Sequence, residues 1–264
     1  QLPEVHRLRI RGKQVLVRTA GQGPPLLLLH GVPTSSLLFR DCVEPLVHAG
    51  FSLIMPDLPG YGESEGIEPD LRVQDHLDWV EELLDQLKLT QVHVAGLDLG
   101  GLLAAGLCLR GRAKHVALTS TAIGPGWFAA WATALPGPHL FFYKFYGGRR
   151  WLQQGVHPDS AEALLALHSP RLESDPGFVE RMQNTALAFS FGEWLRWPKE
   201  LAATSNPKQL IWGQDDRFFP PWMARRIAAN LDCEIHWIPG GRHHLPFGHA
   251  AAWSQALIEF LPTP

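Results

Sequence analysis

Cysteine is scarce in this chain. Its 264 residues hold three, Cys42, Cys108 and Cys233, each inside an otherwise regular segment. That is too few and too scattered for a disulfide framework or a zinc knot, and it points to a reducing cytoplasm. Charge of one sign is missing too. With 23 basic and 26 acidic residues the net charge is -3, and no Lys/Arg run interrupts the chain, so no nucleic-acid partner is expected. No apolar stretch approaches a membrane span, and no membrane partner is expected. The N-terminus lacks the basic and apolar regions of a signal peptide, and a chain opening at Gln1 reads as trimmed. The 13 histidines show no metal-ligand spacing. No metal, nucleotide or flavin signature appears, and no cofactor is expected.

What is present is an ordinary globular balance, 45% hydrophobic and 19% charged, over a length that suits one α/β domain with an insertion. Residues 5 to 19 read as a hairpin turning at Arg11-Gly12-Lys13. "PPLLLLH", ending at His30, follows as a continuous apolar run, the pattern of a strand buried on both faces. "FSLIMPD", "QVHVAGLD", "KHVALTS", "KQLIWG" and "CEIHWIP" repeat it. Helical segments lie between, clearest over 70 to 88, where Leu71, Leu77, Val80, Leu84 and Leu87 trace one face behind an Asp70 cap. The alternation predicts a mainly parallel sheet wrapped by helices.

Between Gly124 and Asn206 the alternation stops and aromatic residues crowd in, among them Trp127, Trp131, Tyr143, Tyr146 and Trp151. This segment reads as a helical cap, 124–206, inserted into a core made of 1–123 and 207–264. It is expected to lie over the carboxyl ends of the strands, where open α/β sheets place their sites. Most of its aromatics are expected to form the cap's own core, with a few facing an apolar substrate of modest size.

The residues that carry chemistry sit at strand ends. "GLDLGG", 96 to 101, has the spacing of a nucleophile elbow, with Gly96, Gly100 and Gly101 at the places that must be small and Asp98 at the nucleophile's position. "LLLLHGVPTSS", 26 to 36, offers a loop whose backbone N–H groups can join that of Leu99 in an oxyanion hole. "IWGQDDRFFP" puts Asp215 and Asp216 after a later strand, and "GGRHHLPFGH" puts His243, His244 and His249 after the last. Nucleophile, acid, histidine is the order of a hydrolase triad on such a sheet.

These motifs, with "DLPGYGES" at 57 to 64, make the chain resemble the α/β-hydrolase family over essentially its whole length. The resemblance selects Asp216 over Asp215, because Gly213, Asp216 and Pro220 match the family's GxxDxxxP pattern. It favours His243 over His244 by the distance to the final "EFL", leaves His249 as a surface or helix-start residue, and gives His30 a structural role in holding its loop. It also implies an oxyanion hole made by the backbone N–H groups of Val32 and Leu99, where one donor is typically worth ~3 kcal/mol.

An aspartate nucleophile changes the chemistry. A carboxylate is ionised at neutral pH and attacks an sp³ carbon directly, becoming an ester that water, activated by His243 with Asp216 behind it, then cleaves. Within the family this resembles epoxide hydrolases and haloalkane dehalogenases. Epoxide opening needs a donor at the leaving oxygen, for which the cap offers Tyr143 and Tyr146. A halide needs N–H donors, yet the two usual core positions are Val32 and Leu99, leaving Trp127, Trp131 or Trp151. No arginine follows Asp98 to grip a haloacid. Epoxide hydrolysis is therefore placed ahead of haloalkane dehalogenation. A third reading is an esterase-like or ligand-binding scaffold whose serine is replaced by Asp98.

Overall fold

A computed structural model describes residues 2–66, 72–124, 153–174 and 191–262. Its frame is an eight-stranded sheet. The strands are β1 (Glu4–Ile10), β2 (Lys13–Ala20), β3 (Pro25–Leu29), β4 (Ser52–Pro56), β5 (Val92–Leu97), β6 (Ala113–Thr119), β7 (Lys208–Gly213) and β8 (Glu234–Ile238), in the order β1-β2-β4-β3-β5-β6-β7-β8. The pairs β1–β2 and β2–β4 are antiparallel and the rest are parallel.

The helices are α1 (Val43–His48), α2 (Val73–Gln86), α3 (Leu99–Leu109), α4 (Pro158–Ser174), α5 (Phe191–Ala202), α6 (Pro221–Leu231), α7 (Leu245–Gly248) and α8 (Ala250–Phe260). Successive strand side chains point to opposite faces, so the run Leu26 to Leu29 feeds two cores at once. Leu27 and Leu29 pack with Leu77, Val80 and Leu103 of α2 and α3. Leu26 and Leu28 pack with Phe39, Trp253 and Leu257 on the other face. All four leucines are fully buried, each worth ~2 kcal/mol relative to exposure.

The helix expected from Asp70 begins later. Arg72 holds the N-cap position, and the Asp75 carboxylate accepts its backbone N–H at 2.9 Å, closing a box on the first turn. Asp70 and Leu71 lie outside the described residues. Where the 124–206 segment is described, its ends join the core. Val156, Leu164 and Leu165 pack with Trp253, while Trp197 and Leu201 pack with α3 and α6. Trp197 is thus a core side chain of the α/β frame.

Candidate active site

The elbow follows from close packing. Asp98 connects β5 to α3 with φ 56 and ψ -117, a left-handed conformation that costs a non-glycine residue about 1–3 kcal/mol. Its surroundings over-determine it. The Asp98 N–H donates to Thr119 O and Ser120 O at 3.1 Å, its own carbonyl accepts Gly101 N–H at 3.0 Å, and Thr121 Oγ1 donates to that carbonyl at 2.7 Å. A Cβ on Gly96 would lie 2.0 Å from Gly100 O, and one on Gly100 2.0 Å from Leu29 O. No larger residue lets the backbones of β3, β5 and α3 meet so closely.

The carboxylate that this turn presents is divided between two neighbours. Val32 N–H donates to Asp98 Oδ1 at 3.0 Å. Asp98 Oδ2 lies 3.7 Å from His243 Nε2. The loop carrying Val32 is itself tied down, since His30 Nδ1 bonds Gly31 O at 2.9 Å and His30 Nε2 accepts Leu58 N–H at 2.9 Å. Those two bonds require a neutral ring with its proton on Nδ1. Burial lowers the His30 pKa, against the upward pull of Asp57, and so favours that form. Leu99, the other expected oxyanion residue, is buried at the first turn of α3, directly after Asp98.

Asp216 and His243 meet behind the carboxylate. His243 Nδ1 lies 3.2 Å from Asp216 Oδ2, and the opposite oxygen, Oδ1, accepts the backbone N–H groups of Phe218 and Phe219 at 2.9 Å each. Burial pulls the His243 pKa down, but Asp216 and then Asp98 outweigh it and leave it raised to about 9. Asp98 keeps 20% of its side chain exposed, whereas Asp216 is sealed, so only the first carboxylate is open to a substrate.

The rival assignments separate in space. Asp215 is exposed and uses its backbone N–H on Gly241 O. His244 is buried with neither ring nitrogen bonded, and burial drives its pKa well down. His249 stands at the N-cap of α8. Tyr143, Tyr146, Trp127 and Trp151 lie outside the described residues.

Four contributors were not singled out from the sequence. Thr121 holds the elbow's carbonyl, and the Phe218 and Phe219 rings flank His243 at centroid distances of 5.1 and 5.0 Å. Asp57, buried with Arg18, accepts Ser36 N–H at 2.8 Å and Glu63 N–H at 2.8 Å, fixing the two loops below the site. The spacing GxxDxxxP brackets both phenylalanines, so their backbone contact with Asp216 was findable from that pattern. Among the described residues no group of three or more His, Cys, Asp or Glu is placed to hold a metal, and no helix is long and apolar enough to cross a membrane.

Known proteins resemble this chain over most of its length. A family model described as the alpha/beta hydrolase fold matches residues 24–250. The chain is 26% identical to a 2-hydroxy-6-oxo-6-phenylhexa-2,4-dienoate hydrolase of Burkholderia cepacia, covering 94% of this chain and 91% of that one. It is 28% identical to a haloalkane dehalogenase of Mesorhizobium japonicum, covering 93% and 87%. A solved epoxide hydrolase superposes with a TM-score of 0.80 over 98% of both chains at 21% identity, which speaks to the fold.

Proposed function

Because the chain belongs to the α/β-hydrolase fold family and its named relatives are hydrolases, we propose that it opens small apolar epoxides through a covalent ester on Asp98. The observation that carries this reading is the split carboxylate. A serine enzyme keeps its oxyanion hole free for the substrate's carbonyl oxygen. Here the Val32 N–H is already taken by Asp98 Oδ1, while Oδ2 is left facing His243 and solvent. Alkylation of Oδ2 makes Oδ1 the ester carbonyl oxygen without moving it, and that oxygen is the one that becomes negative when water attacks.

The steps balance. Asp98 Oδ2 bonds the ring carbon as its C–O bond breaks, and the freed oxygen takes a proton from a donor assigned to the cap tyrosines Tyr143 and Tyr146. With Asp98 esterified, the His243 imidazolium releases its proton to solvent, and the freed Nε2 then removes a proton from water, whose oxygen attacks Asp98 Cγ. The tetrahedral oxyanion rests on Val32 and Leu99 N–H groups, then collapses as the bond from Asp98 Cγ to the substrate oxygen breaks and the added hydroxyl's proton passes to that oxygen, releasing a diol and restoring the carboxylate. His243 keeps the proton taken from water and is again the resting imidazolium, while the tyrosine regains from solvent the proton that His243 released. Charge favours this order. Asp98 helps to raise the imidazole to about 9 only while it is an anion, so esterification lowers the imidazole's pKa towards that of a usable base.

A second reading, haloalkane dehalogenation, is favoured by the dehalogenase relative. Against it, the two core positions that flank Asp98 carry Val32 and Leu99, whose side chains donate nothing to a halide.

Intact mass decides between them. His243→Gln, incubated with separate pools of epoxides and haloalkanes, is expected to gain the whole mass of an epoxide at the peptide holding Asp98. A gain equal to a haloalkane less hydrogen halide selects the second reading. No adduct from either pool, with no turnover by the parent enzyme, overturns the covalent mechanism for these substrates.

A further inference from the structure

Neither contact of the His243 ring is short: 3.2 Å to Asp216 and 3.7 Å to Asp98. Two loose polar contacts do not fix an imidazole to the few tenths of an ångström that proton transfer needs. The ring is instead held by shape, with Phe218 and Phe219 on one side and the His244 ring at 4.9 Å. His244 has no ring hydrogen bond of its own, so its place depends on what it packs against.

That support comes from far back in the chain. Gly155 O accepts the His244 backbone N–H at 2.7 Å, and the Arg242 guanidinium donates to Val156 O at 2.9 Å. The residues on both sides of His243 are thereby pinned to one short turn. The turn is also shaped for the ring. A Cβ on Gly155 would lie 2.4 Å from Cδ2 and 2.7 Å from Nε2 of His244. Gly155 and Val156 are buried, and they directly precede α4 in the segment inserted between β6 and β7.

We propose that the Gly155–Val156 turn sets the position of the base, with Gly155 and Arg242 as positioning residues that act through His244 and the loop backbone. The inserted segment then does more than cover a substrate. It holds the histidine that must reach the water in the second step, while the nucleophile, built from core strands, does not depend on it. The proposal rests on the ester mechanism above, and its test therefore includes a readout that needs no substrate.

The first measurement is an NMR titration of the His243 imidazole, identified by its absence in His243→Gln. The parent is expected to titrate at about 9, raised, against burial, chiefly by Asp216. Arg242→Gln removes a nearby cation, which by electrostatics alone raises a neighbouring imidazole's pKa. Loss of position instead draws His243 away from Asp216 and Asp98 and lowers it. We expect a downward shift of at least one unit (~10-fold in the protonation equilibrium) in Arg242→Gln and in Gly155→Ala. Arg242→Lys, which still donates to Val156 O, is expected to restore the parent value. An unchanged or raised midpoint in Arg242→Gln overturns the proposal, and this variant decides the matter if Gly155→Ala does not fold.

The second measurement is single-turnover kinetics with an epoxide that alkylates the His243→Gln variant. In Arg242→Gln the formation of the Asp98 ester should keep its rate while its hydrolysis slows ~10–100-fold, so that ester accumulates. Equal slowing of both steps overturns the assignment. Failure of any ester to form in His243→Gln counts against the proposed function, and the titration then judges the turn by itself.

Discussion

The elbow around Asp98 and the loop around His243 deliver two side chains to one point by different means. The elbow is made of neighbours: β5 and α3 flank the aspartate in sequence, and β3 and β6 flank it in the sheet. Its tolerances are set by main-chain atoms, with Gly96 and Gly100 at contact with carbonyl oxygens. The histidine loop leaves β8 and is gripped by side chains and by a turn far back in the chain, through Arg242 to Val156 and His244 to Gly155. Asp98, the proposed nucleophile, is rigid because its strained backbone is locked in by the core. His243, the proposed base, is placed by side-chain packing, the more adaptable of the two constructions, in a loop that is pinned to a turn of another segment.

Replacing the rigid part should have the largest effect. Asp98→Ser keeps the small size the elbow demands but supplies a neutral hydroxyl in place of an anion, and removal of a nucleophile typically costs about 10⁶ in kcat. Loss of nearly all epoxide turnover, measured as kcat, is the expected outcome. If Asp98→Ser instead gains activity on short aryl esters, the aspartate is a replaced serine and the elbow never served an alkyl ester.

This contrast also governs what could be read before any coordinates. The strands were legible because β3 and β5 are largely apolar runs, and the elbow because its glycines and Asp98 fall within six residues, 96 to 101. The cap of the helix at Val73 was misplaced by two residues, since it is the backbone N–H of Arg72 bonded to Asp75, a contact that any residue but proline supplies at 72. Trp197 looked like one more aromatic of the insertion and is a core residue, because only tertiary packing tells the two apart. The choice between His243 and His244 could not come from adjacency alone. It is made by Asp216 and by Gly155, one after a different strand and the other in a different segment.

On the adaptable side, Asp216→Asn should cost ~10⁴ in kcat, because an amide stabilises neither the tautomer nor the imidazolium that the mechanism requires. It should also lower the titration of His243 from about 9, since Asp216 is the larger of the two carboxylate contributions that raise it. An unshifted titration would mean that Asp98 alone holds the charge.

The same pair predicts a pH signature in stability. His243 has its folded pKa raised, against burial, above the ordinary histidine value of 6.5 to about 9, chiefly by Asp216. The folded state therefore holds a proton that the unfolded state has lost, and its contribution is complete below pH 6.5 and disappears as pH rises towards 9. The span corresponds to about 3 kcal/mol. Urea unfolding of the parent should weaken by about that much from pH 6.5 to 9, relative to His243→Gln. Parallel curves for the two proteins would remove the charge argument from the loop.

The smallest effect sharpens the comparison most, because it disturbs the elbow from outside. A Cβ on Gly31 would lie 2.5 Å from Asp98 Cβ and 2.9 Å from its Oδ1. Neither is a flexible chain end, since Asp98 is fixed by its backbone and Oδ1 by Val32. Gly31→Ala must therefore push the carboxylate towards His243 or push the Val32 loop away, and either lengthens the bond from Val32 N–H to Oδ1. A displacement near 1 Å costs on the order of 10²-fold. Because Oδ1 bears the charge only when water attacks, ester hydrolysis should slow more than ester formation. In Arg242→Gln the same step slows through the base, with Oδ1 still in its hole. The two variants are told apart by the His243 titration, which should fall in Arg242→Gln and stay at or above the parent value in Gly31→Ala, since a carboxylate pushed towards the ring raises its pKa.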